Sequence, residues 1–424
     1  MEQGLLVGYA THDITPEVGE ELSGYIHREP SCTGVLDPLT LSAVVFRGGP
    51  NAAAVISADL LAIDQTGVDA IRAAVTSSSG IPAEAVAFHS IHTHASPALA
   101  DLRGIGCASD GYRGMVTQKA AEAVAEALSG LEPASLSVAT GRVGGGISHN
   151  RRRADGPLDD EGRLVIIERA GGHAVVICNW QCHPVCLGSG NTLVSADYVG
   201  AAREAMRRSL HPSCGVVYLN GCCGDVNPVH HGATGVRITG EGLAEATASF
   251  GEPEPASPQP VRAALLHATF PLRRDLTPEH ARSEIGLHAS RLAETTDPLV
   301  RRECRAMLEW AEELLAAIEG DALPEDPIAD VQVIRVGDVA FCFLPCETLN
   351  ETGTLIKSRS PLRHALPVSC SNGVIGYVGP RYEFEIGGYE LDVASRYYDL
   401  LPFSPEAGDV LLDTALQALR RVAA

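Results

Sequence analysis

The feature that most constrains the fold of this chain is a short apolar run that recurs and ends each time in a polar loop. Ala85–Phe88 leads into His92-Thr93-His94, and Ala174–Trp180 leads into a loop in which His183 precedes a proline. Apolar runs of this length, bounded by turn residues, are typical of buried strands. The chain is therefore expected to contain buried strands with polar side chains gathered at their ends.

Stretches with helical periodicity lie between these strands. Residues 112–129 and 406–423 are predicted amphipathic helices. Residues 277–320 are predicted to form a helical hairpin on the outside of the molecule, because Thr277 suits the cap and Pro278 the first helical position. We therefore predict an α/β fold of the mixed α+β type, in which central mixed β-sheets are flanked by helices.

Length and composition allow a large hydrophobic core, and the absence of targeting patterns indicates the expected cellular location. With 424 residues, of which 45% are hydrophobic, the chain could form one large domain or two modest ones, and we predict a single domain over residues 1–424. No run of about 18 apolar residues occurs, and the start lacks the pattern of a signal peptide, so a cytoplasmic protein is expected. The 12 cysteines are then expected to be reduced and mostly buried.

Net charge narrows the range of partners. The chain carries 32 basic and 53 acidic residues, a formal net charge of −21. Such a charge disfavours nucleic acid and anionic membrane surfaces, although most of it is expected to serve solubility. We therefore expect a small-molecule substrate, no nucleic-acid partner and no stable membrane association.

Four strand-adjacent positions carry side chains that bind metals. His92 and His94 are two residues apart at a predicted strand end, where alternation would turn both side chains the same way. A lone pair of this kind is usually just the polar start of a loop, but His183 and Glu347 also follow strand-like runs. Two imidazoles and a carboxylate are a typical set for catalytic zinc, although they also suit manganese or iron. Tyr377 follows the predicted strand 368–371, but no spacing rule marks it as a ligand.

Other motifs are absent or ambiguous. The chain has no Gly-x-Ser-x-Gly, His-Glu-x-x-His, Walker A or strand-linked Gly-x-Gly-x-x-Gly sequence, which counts against serine hydrolases of the elbow type, zincins and nucleotide enzymes. Arg151-Arg152-Arg153 is a run that usually lies on a solvated surface, but one of its members could bind a carboxylate or polarise a carbonyl.

Five blocks in order resemble the catalytic domain of the neutral (non-lysosomal) ceramidase family. The block around His92 is similar to the family's T-H-T-H-S-G-P, and the block ending in His183-Pro184 is similar to N-W-F-x-x-H-P, one residue shorter. The remaining blocks are Gly224–Pro228, similar to G-D-V-S-P; Pro345-Cys346-Glu347, similar to P-G-E; and Asn372–Tyr377 with Tyr389-Glu390, similar to N-x-x-x-x-Y and Y-E. The resemblance spans about residues 90 to 390 and implies the fold of that catalytic domain.

The resemblance also implies roles for individual residues. The ligands of one zinc ion per chain would be His92, His183, Glu347 and Tyr377. Five further residues would line the site or take part in catalysis: His94, Arg151, Asp225, Asn227 and Tyr389. Among these, Tyr389 would help to stabilise the oxyanion. Zinc lowers the pKa of its water to about 7 and polarises a carbonyl, so the chemistry agrees with this arrangement.

Two departures from the family pattern bear on the substrate. Asn227 stands where the family has serine, and an amide can donate a hydrogen bond but cannot act as a nucleophile. The sequence also ends after the catalytic part, without the immunoglobulin-like domain of ceramidases. We therefore expect a zinc-dependent hydrolase that cleaves an amide (N-acyl) bond of a small soluble substrate by metal-activated water. The alternatives are a zinc-dependent esterase or lactonase, and a non-catalytic metal-binding protein on the same fold.

Overall fold

The structure of the protein is a computed structural model that describes residues 4–144, 146–210 and 213–424. Its strands are β1 Leu6–Asp13, β2 Gly34–Val35, β3 Thr40–Gly48, β4 Asn51–Ala58, β5 Val86–Ser90, β6 Glu132–Arg142, β7 Ser148–Asn150, β8 Glu161–Arg169, β9 Val175–Trp180, β10 Leu193–Val194, β11 Gly215–Asn220, β12 Val226–Pro228, β13 Glu254–Ala256, β14 Val261–Thr269, β15 Ile328–Val336, β16 Val339–Phe343, β17 Glu347–Thr348, β18 His364–Val368 and β19 Tyr377–Val378. Its α-helices are α1 Gln65–Ser79, α2 Asp110–Ser129, α3 Asp197–Leu210, α4 Gly232–Ala248, α5 Pro278–Glu294, α6 Pro298–Glu319, α7 Asn350–Arg359, α8 Arg381–Ile386 and α9 Glu406–Ala423. Shorter turns of helix are the 3₁₀ segments Ala83–Ala85 and Ala394–Tyr398 and the π-helical turn Tyr389–Val393.

The larger sheet is mixed and curls until its two edge strands meet. Its order is β11-β9-β8-β6-β1-β3-β4-β5, with β13 also paired to β6, and only the β4–β5 and β9–β11 pairs are parallel. At the closing edge, Ser57 Oγ on β4 donates to Tyr218 O on β11 at 2.7 Å. The amide of Asn220 on β11 donates to His89 Nε2 on β5 at 3.1 Å. This contact between β5 and β11, which we call the seam, brings the loops after β5 and β9 together.

The smaller sheet has the order β14-β15-β16-β18, and its strands β16 and β18 are buried along their whole length. Alternate residues of β16 face opposite sides: Val339, Phe341 and Phe343 belong to the core of the larger sheet, whereas Ala340 and Cys342 pack with the core that contains α9. Both faces of such a strand are apolar, which explains why it is a continuous apolar run in the sequence.

Most predicted elements are present and one is displaced. The mixed α/β class is confirmed, α5 and α6 occupy the stretch predicted as a helical hairpin, and α9 matches the predicted C-terminal helix. The strand predicted over 368–371 is wrong, because β18 ends at Val368 and both Cys370 and Asn372 have positive φ angles, 52° and 54°. A strand requires negative φ, so the chain turns there instead.

Two further expectations can be compared with the structure. All 12 cysteines are free thiols, and all but Cys107 are buried, as expected. Within the described ranges, none of the helices is long and apolar enough to cross a bilayer.

Candidate metal centre

His92 lies in the loop after β5, next to the seam. The strand ends at Ser90, and His92 adopts a left-handed backbone with φ of 72°. This turn, rather than strand alternation, brings the rings of His92 and His94 to a centroid distance of 5.0 Å. Non-glycine residues in this conformation are strained by about 1–3 kcal/mol and cluster at functional sites. The sequence analysis expected strand alternation to turn the two histidine side chains the same way. In the structure a tight turn brings them together instead.

The rings of His92 and His183 are held by backbone carbonyl groups. His92 Nδ1 is 2.8 Å from Leu61 O, and His183 Nδ1 is 3.2 Å from Val226 O. Because a carbonyl oxygen only accepts, each Nδ1 atom carries the proton of its neutral imidazole. Each ring therefore turns the lone pair of Nε2 inward, the orientation of a metal-ligating histidine whose other nitrogen is hydrogen-bonded.

Both lone pairs point at the same carboxylate oxygen. Glu347 Oε2 is 2.8 Å from His92 Nε2 and 3.0 Å from His183 Nε2, and all three side chains are buried. Glu347 begins β17, which pairs in parallel with β19, so that Glu347 is the direct partner of Tyr377. The structure thus brings together the four residues that the resemblance implies as zinc ligands.

The three atoms that converge at this point are all electron-rich. Three electron-rich atoms face one another unless a metal ion, or one extra proton on each imidazole, lies between them. Burial alone would lower the pKa of His92, but the carboxylate of Glu347 outweighs it and raises that pKa to about 9. Burial and the charge of Arg151 lower the pKa of His183 to about 4. A metal ion between these atoms would be bound by both imidazoles and by the carboxylate.

His94 supplies a third nitrogen. Its Nδ1 is 3.1 Å from Gly24 O, while its enclosed Nε2 has no hydrogen-bond partner among the described residues. Burial, followed by the nearby His92 and His183, holds the pKa of His94 well below its usual value, so its ring is neutral. The ligand atoms of His92, His94 and His183 all lie within 4.8 Å of one another. These three histidines could hold a metal ion, and imidazole with a carboxylate is a donor set that zinc accepts.

Arg151 connects two of the other predicted site residues, Tyr377 and Asn227, with Glu390. Its Nη2 donates to Tyr377 Oη at 3.2 Å, its Nη1 to Asn227 Oδ1 at 3.3 Å, and its Nε to Glu390 at 2.9 Å. The ring of Tyr389 lies 6.2 Å from that of Tyr377 and is half exposed. A positive charge and a phenol thus lie beside the histidine cluster.

The arginine run is not a solvated surface. Arg152 is 6% exposed and binds Glu390 at 2.6 Å and Glu383 at 3.1 Å, and Arg153 binds Glu383 at 2.7 Å. Ion pairs from Arg151, Arg152 and Arg153 to Glu383 and Glu390 therefore hold this loop against the segment that carries Tyr389.

Asp225 takes part in loop structure rather than facing the histidines. Its carboxylate accepts from Asn150 Nδ2 at 2.8 Å and from the amide of Asn350 at 2.6 Å, and its carbonyl accepts from the amide of Arg151 at 2.7 Å. Burial raises the pKa of its carboxyl group. Through these bonds Asp225 orients the loops that carry Arg151 and Asn227.

Two residues of the centre were missed from the sequence. Asn220 Nδ2 donates to the carbonyls of Ile91 and Cys182, at 3.0 and 3.1 Å, and so joins the loops of His92 and His183. Tyr398 Oη donates to Glu347 Oε1 at 2.6 Å. A polar residue at the end of an apolar strand was a usable signal for Asn220, whereas nothing in the sequence around Tyr398 marks it.

Solved structures with the same fold are ceramidases. The neutral ceramidase from Pseudomonas aeruginosa has a TM-score of 0.76 and 16% identity, and the match covers 99% of this chain and 75% of that one. A structure of ceramidase complexed with C2 gives a TM-score of 0.76 and 15% identity with the same coverage. No protein-family model and no curated protein matches the chain. The chain therefore has the fold of neutral ceramidase, as its sequence motifs implied, and carries a potential metal-binding cluster of histidines at the ends of its strands.

Proposed function

We propose that this protein is a zinc-dependent hydrolase that cleaves an amide (N-acyl) bond of a small soluble substrate. The observation that carries the proposal is the convergence of two buried imidazole lone pairs on one oxygen of Glu347, at 2.8 and 3.0 Å. The fold supports an amide substrate, because the solved structures that share it are ceramidases.

His92, His183 and Glu347 form the core of the proposed ligand set. The fourth ligand is Tyr377 in our proposal, and His94 faces the substrate. Zinc, when bound, supplies Lewis acidity to a carbonyl oxygen and lowers the pKa of water. Comparing Tyr377→Phe with His94→Ala tests this division, since loss of a ligand weakens metal binding more than loss of a substrate-facing group.

The surrounding side chains fit the hydrolysis of an acyl compound. The guanidinium group of Arg151 places positive charge where negative charge develops on a carbonyl oxygen. Desolvation raises the pKa of Tyr389, so its phenol stays protonated at neutral pH and can donate to the same oxygen. His94, held neutral, can accept a proton through its free Nε2.

The first experiment is the metal content of the purified protein by elemental mass spectrometry. Wild type is expected to carry about one zinc per chain, and His92→Ala and His183→Ala are expected to lose it. His280→Ala, which changes an exposed histidine on α5, is the matched control. Full zinc content in His183→Ala would overturn the ligand assignment.

The second experiment is a panel of matched N-acyl amides, esters and lactones. Turnover of amides that is abolished by a chelator and restored by zinc is expected. Turnover of esters or lactones alone would replace the amidase proposal by an esterase. Bound zinc without turnover of any member would favour a metal-binding protein without catalysis.

A further inference from the structure

Glu347 depends on a second oxygen contact for its orientation. Its Oε2 faces the two imidazoles, and its Oε1 accepts from Tyr398 Oη at 2.6 Å. A carboxylate can rotate about its last bond, so a hydrogen bond on one oxygen determines where the other points. The partners of metal ligands commonly set metal affinity in this way.

The ring of Tyr398 is itself held in place by backbone. A Cβ atom at Gly376 would lie 3.3 Å from the Tyr398 ring, so the ring packs directly on this glycine, whose φ of 103° also favours glycine. The carbonyl of Gly376 accepts from the amide of Glu347 at 2.8 Å. Tyr398 therefore touches both the side chain of Glu347 and the backbone that positions it.

The 3₁₀ segment Ala394–Tyr398, which carries Tyr398, and the residues just after it contact both helices of the α5–α6 hairpin. Arg396 Nη1 binds Glu284 on α5 at 2.5 Å, and its guanidinium group lies 4.4 Å from the centre of the Trp310 ring on α6. Trp310 Nε1 donates to Leu400 O at 3.3 Å. The 3₁₀ segment is thus held on the side away from Glu347.

Arg103 provides a second set of contacts between α6 and this part of the chain. Arg103 binds Asp399 at 2.5 Å and Glu313 on α6 at 2.6 Å, and its amide donates to Tyr397 O at 2.9 Å. Asp399 follows Tyr398 directly and has a positive φ of 55°. The chain therefore turns at the residue that Arg103 binds.

We infer that the helical hairpin is a positioning element of the metal centre and that Tyr398 is the residue through which it acts. The hairpin holds the 3₁₀ segment, the segment holds Tyr398, and Tyr398 holds Glu347 with Oε2 toward both histidines. The inference rests on the proposed metal centre and deepens it. Tyr398 is a positioning residue, since it touches a ligand and not the reacting atoms.

Zinc affinity, measured by competition with a chromogenic chelator, tests the inference without reference to turnover. Tyr398→Phe keeps the ring on Gly376 and removes only the hydroxyl, and we expect zinc binding to weaken by about 10- to 100-fold. The cobalt-substituted variant is expected to show a changed visible spectrum, because the geometry of Glu347 changes. Wild-type affinity and spectrum in Tyr398→Phe would overturn the role of Tyr398.

The role of the hairpin is tested by removing the ion pairs that connect it, directly or through Arg103, to the chain around Tyr398. Glu284→Gln with Asp399→Gly removes the ion pairs that Arg396 and Arg103 make with these two residues, and it leaves the left-handed turn to a glycine. The contacts of Trp310 and the backbone bond from Arg103 to Tyr397 remain. We expect a loss of zinc affinity of about threefold or more, and no further loss when Tyr398→Phe is already present. Glu319→Gln is the matched control, because it breaks the 2.5 Å pair between Arg282 on α5 and Glu319 on α6, which does not reach the segment.

The possible failures can be told apart. If the released variant binds zinc as the control does, the ion pairs of the hairpin have no positioning role and that part of the inference is overturned, whatever the result for Tyr398. If wild type binds no zinc, the proposed function itself fails and the inference falls with it. Thermal unfolding of each metal-free variant, together with its circular dichroism, identifies any variant that has lost the fold.

Discussion

Single side chains hold the loops of the metal centre, and Asn220 joins two of them. Its amide group donates to one carbonyl in the loop of His92 and one in the loop of His183, and its Oδ1 accepts from the amide of Cys182 at 3.2 Å. The side chain is fully buried. Removing it leaves the carbonyl of Ile91 and the amide of Cys182 without this partner, whereas the carbonyl of Cys182 keeps its hydrogen bond from Tyr198 Oη at 2.7 Å.

We expect Asn220→Ala to lower the free energy of unfolding by about 2–3 kcal/mol and to weaken zinc binding, because both histidine loops lose a tether. Urea unfolding of the metal-free protein and a zinc titration measure the two effects. Asn191→Ala is the control, since the Asn191 side chain bonds only within its own turn. Equal stability and affinity in the two variants would contradict the role of Asn220.

Glu390 provides a prediction that depends on pH. Burial would raise the pKa of Glu390, but the charge of Arg151, a backbone hydrogen bond and the contact with Arg152 together outweigh burial and lower that pKa. The ion pairs therefore stabilise the fold above the unfolded-state pKa of about 4.3, and this stabilisation is lost as the pH falls through the lower folded-state value. We expect Glu390→Gln to unfold about 2 kcal/mol more easily at pH 7 and the difference to shrink toward pH 3. Urea unfolding across this range measures it; a constant difference would assign the effect to packing.

The sequence allowed the proposed ligand residues to be chosen but not the residues that support them. His92, His183 and Glu347 follow apolar runs, so their placement at strand ends follows from local pattern. Tyr377 came only from the family resemblance. Tyr398 lies in a short 3₁₀ segment, and its contact with Glu347 depends on tertiary packing that no local pattern records.

At the scale of elements, the close approach of α2 to β1 depends on a glycine. A Cβ atom at Gly8 would lie 1.7 Å from Ala127 O on α2. No side chain fits in that space unless the helix moves. Gly114, on the exposed face of the same helix, has nothing within 4 Å of such an atom.

We expect Gly8→Ala to destabilise the protein by about 3 kcal/mol or more, because the helix must shift off its strand. Gly114→Ala, the control, is expected to stabilise it by about 0.5–1 kcal/mol, because alanine restricts the unfolded chain and favours the helix. Chemical unfolding of both variants measures the difference. Similar values for the two would mean that α2 adjusts freely to the larger side chain.

Elements buried on both faces were the easiest to predict, and irregular turns the hardest. β16 is apolar along its whole length because two cores meet on it. The stretch 368–371 is similarly short and apolar at its start, yet Cys370 adopts a positive φ that nothing in its residue type suggests. Tertiary contacts on both sides decide such turns, among them the bond from Ser90 N to Cys370 O at 3.0 Å.

At the scale of the whole molecule, metal binding is expected to be linked to stability. A metal that binds only the folded protein stabilises it by about 2.7 kcal/mol at a concentration of one hundred times its Kd. We expect zinc to raise the Tm of wild type by a few degrees, a chelator to reverse the shift, and His183→Ala to show neither effect. Differential scanning fluorimetry measures it; a shift of equal size in His183→Ala would place the metal elsewhere.

The seam has a consequence for the order of events in folding. The hairpins of the larger sheet can pair early, because their strands are close in sequence. His92 follows β5, at one edge of that sheet, and His183 follows β9, next to the other edge strand β11, so the two residues meet only when β5 reaches β11. Glu347 arrives from a later part of the chain. A growing chain that stops short of Glu347 cannot offer the proposed ligand set. The proposed ligand set is therefore complete only after the chain has reached Glu347 and the seam has closed.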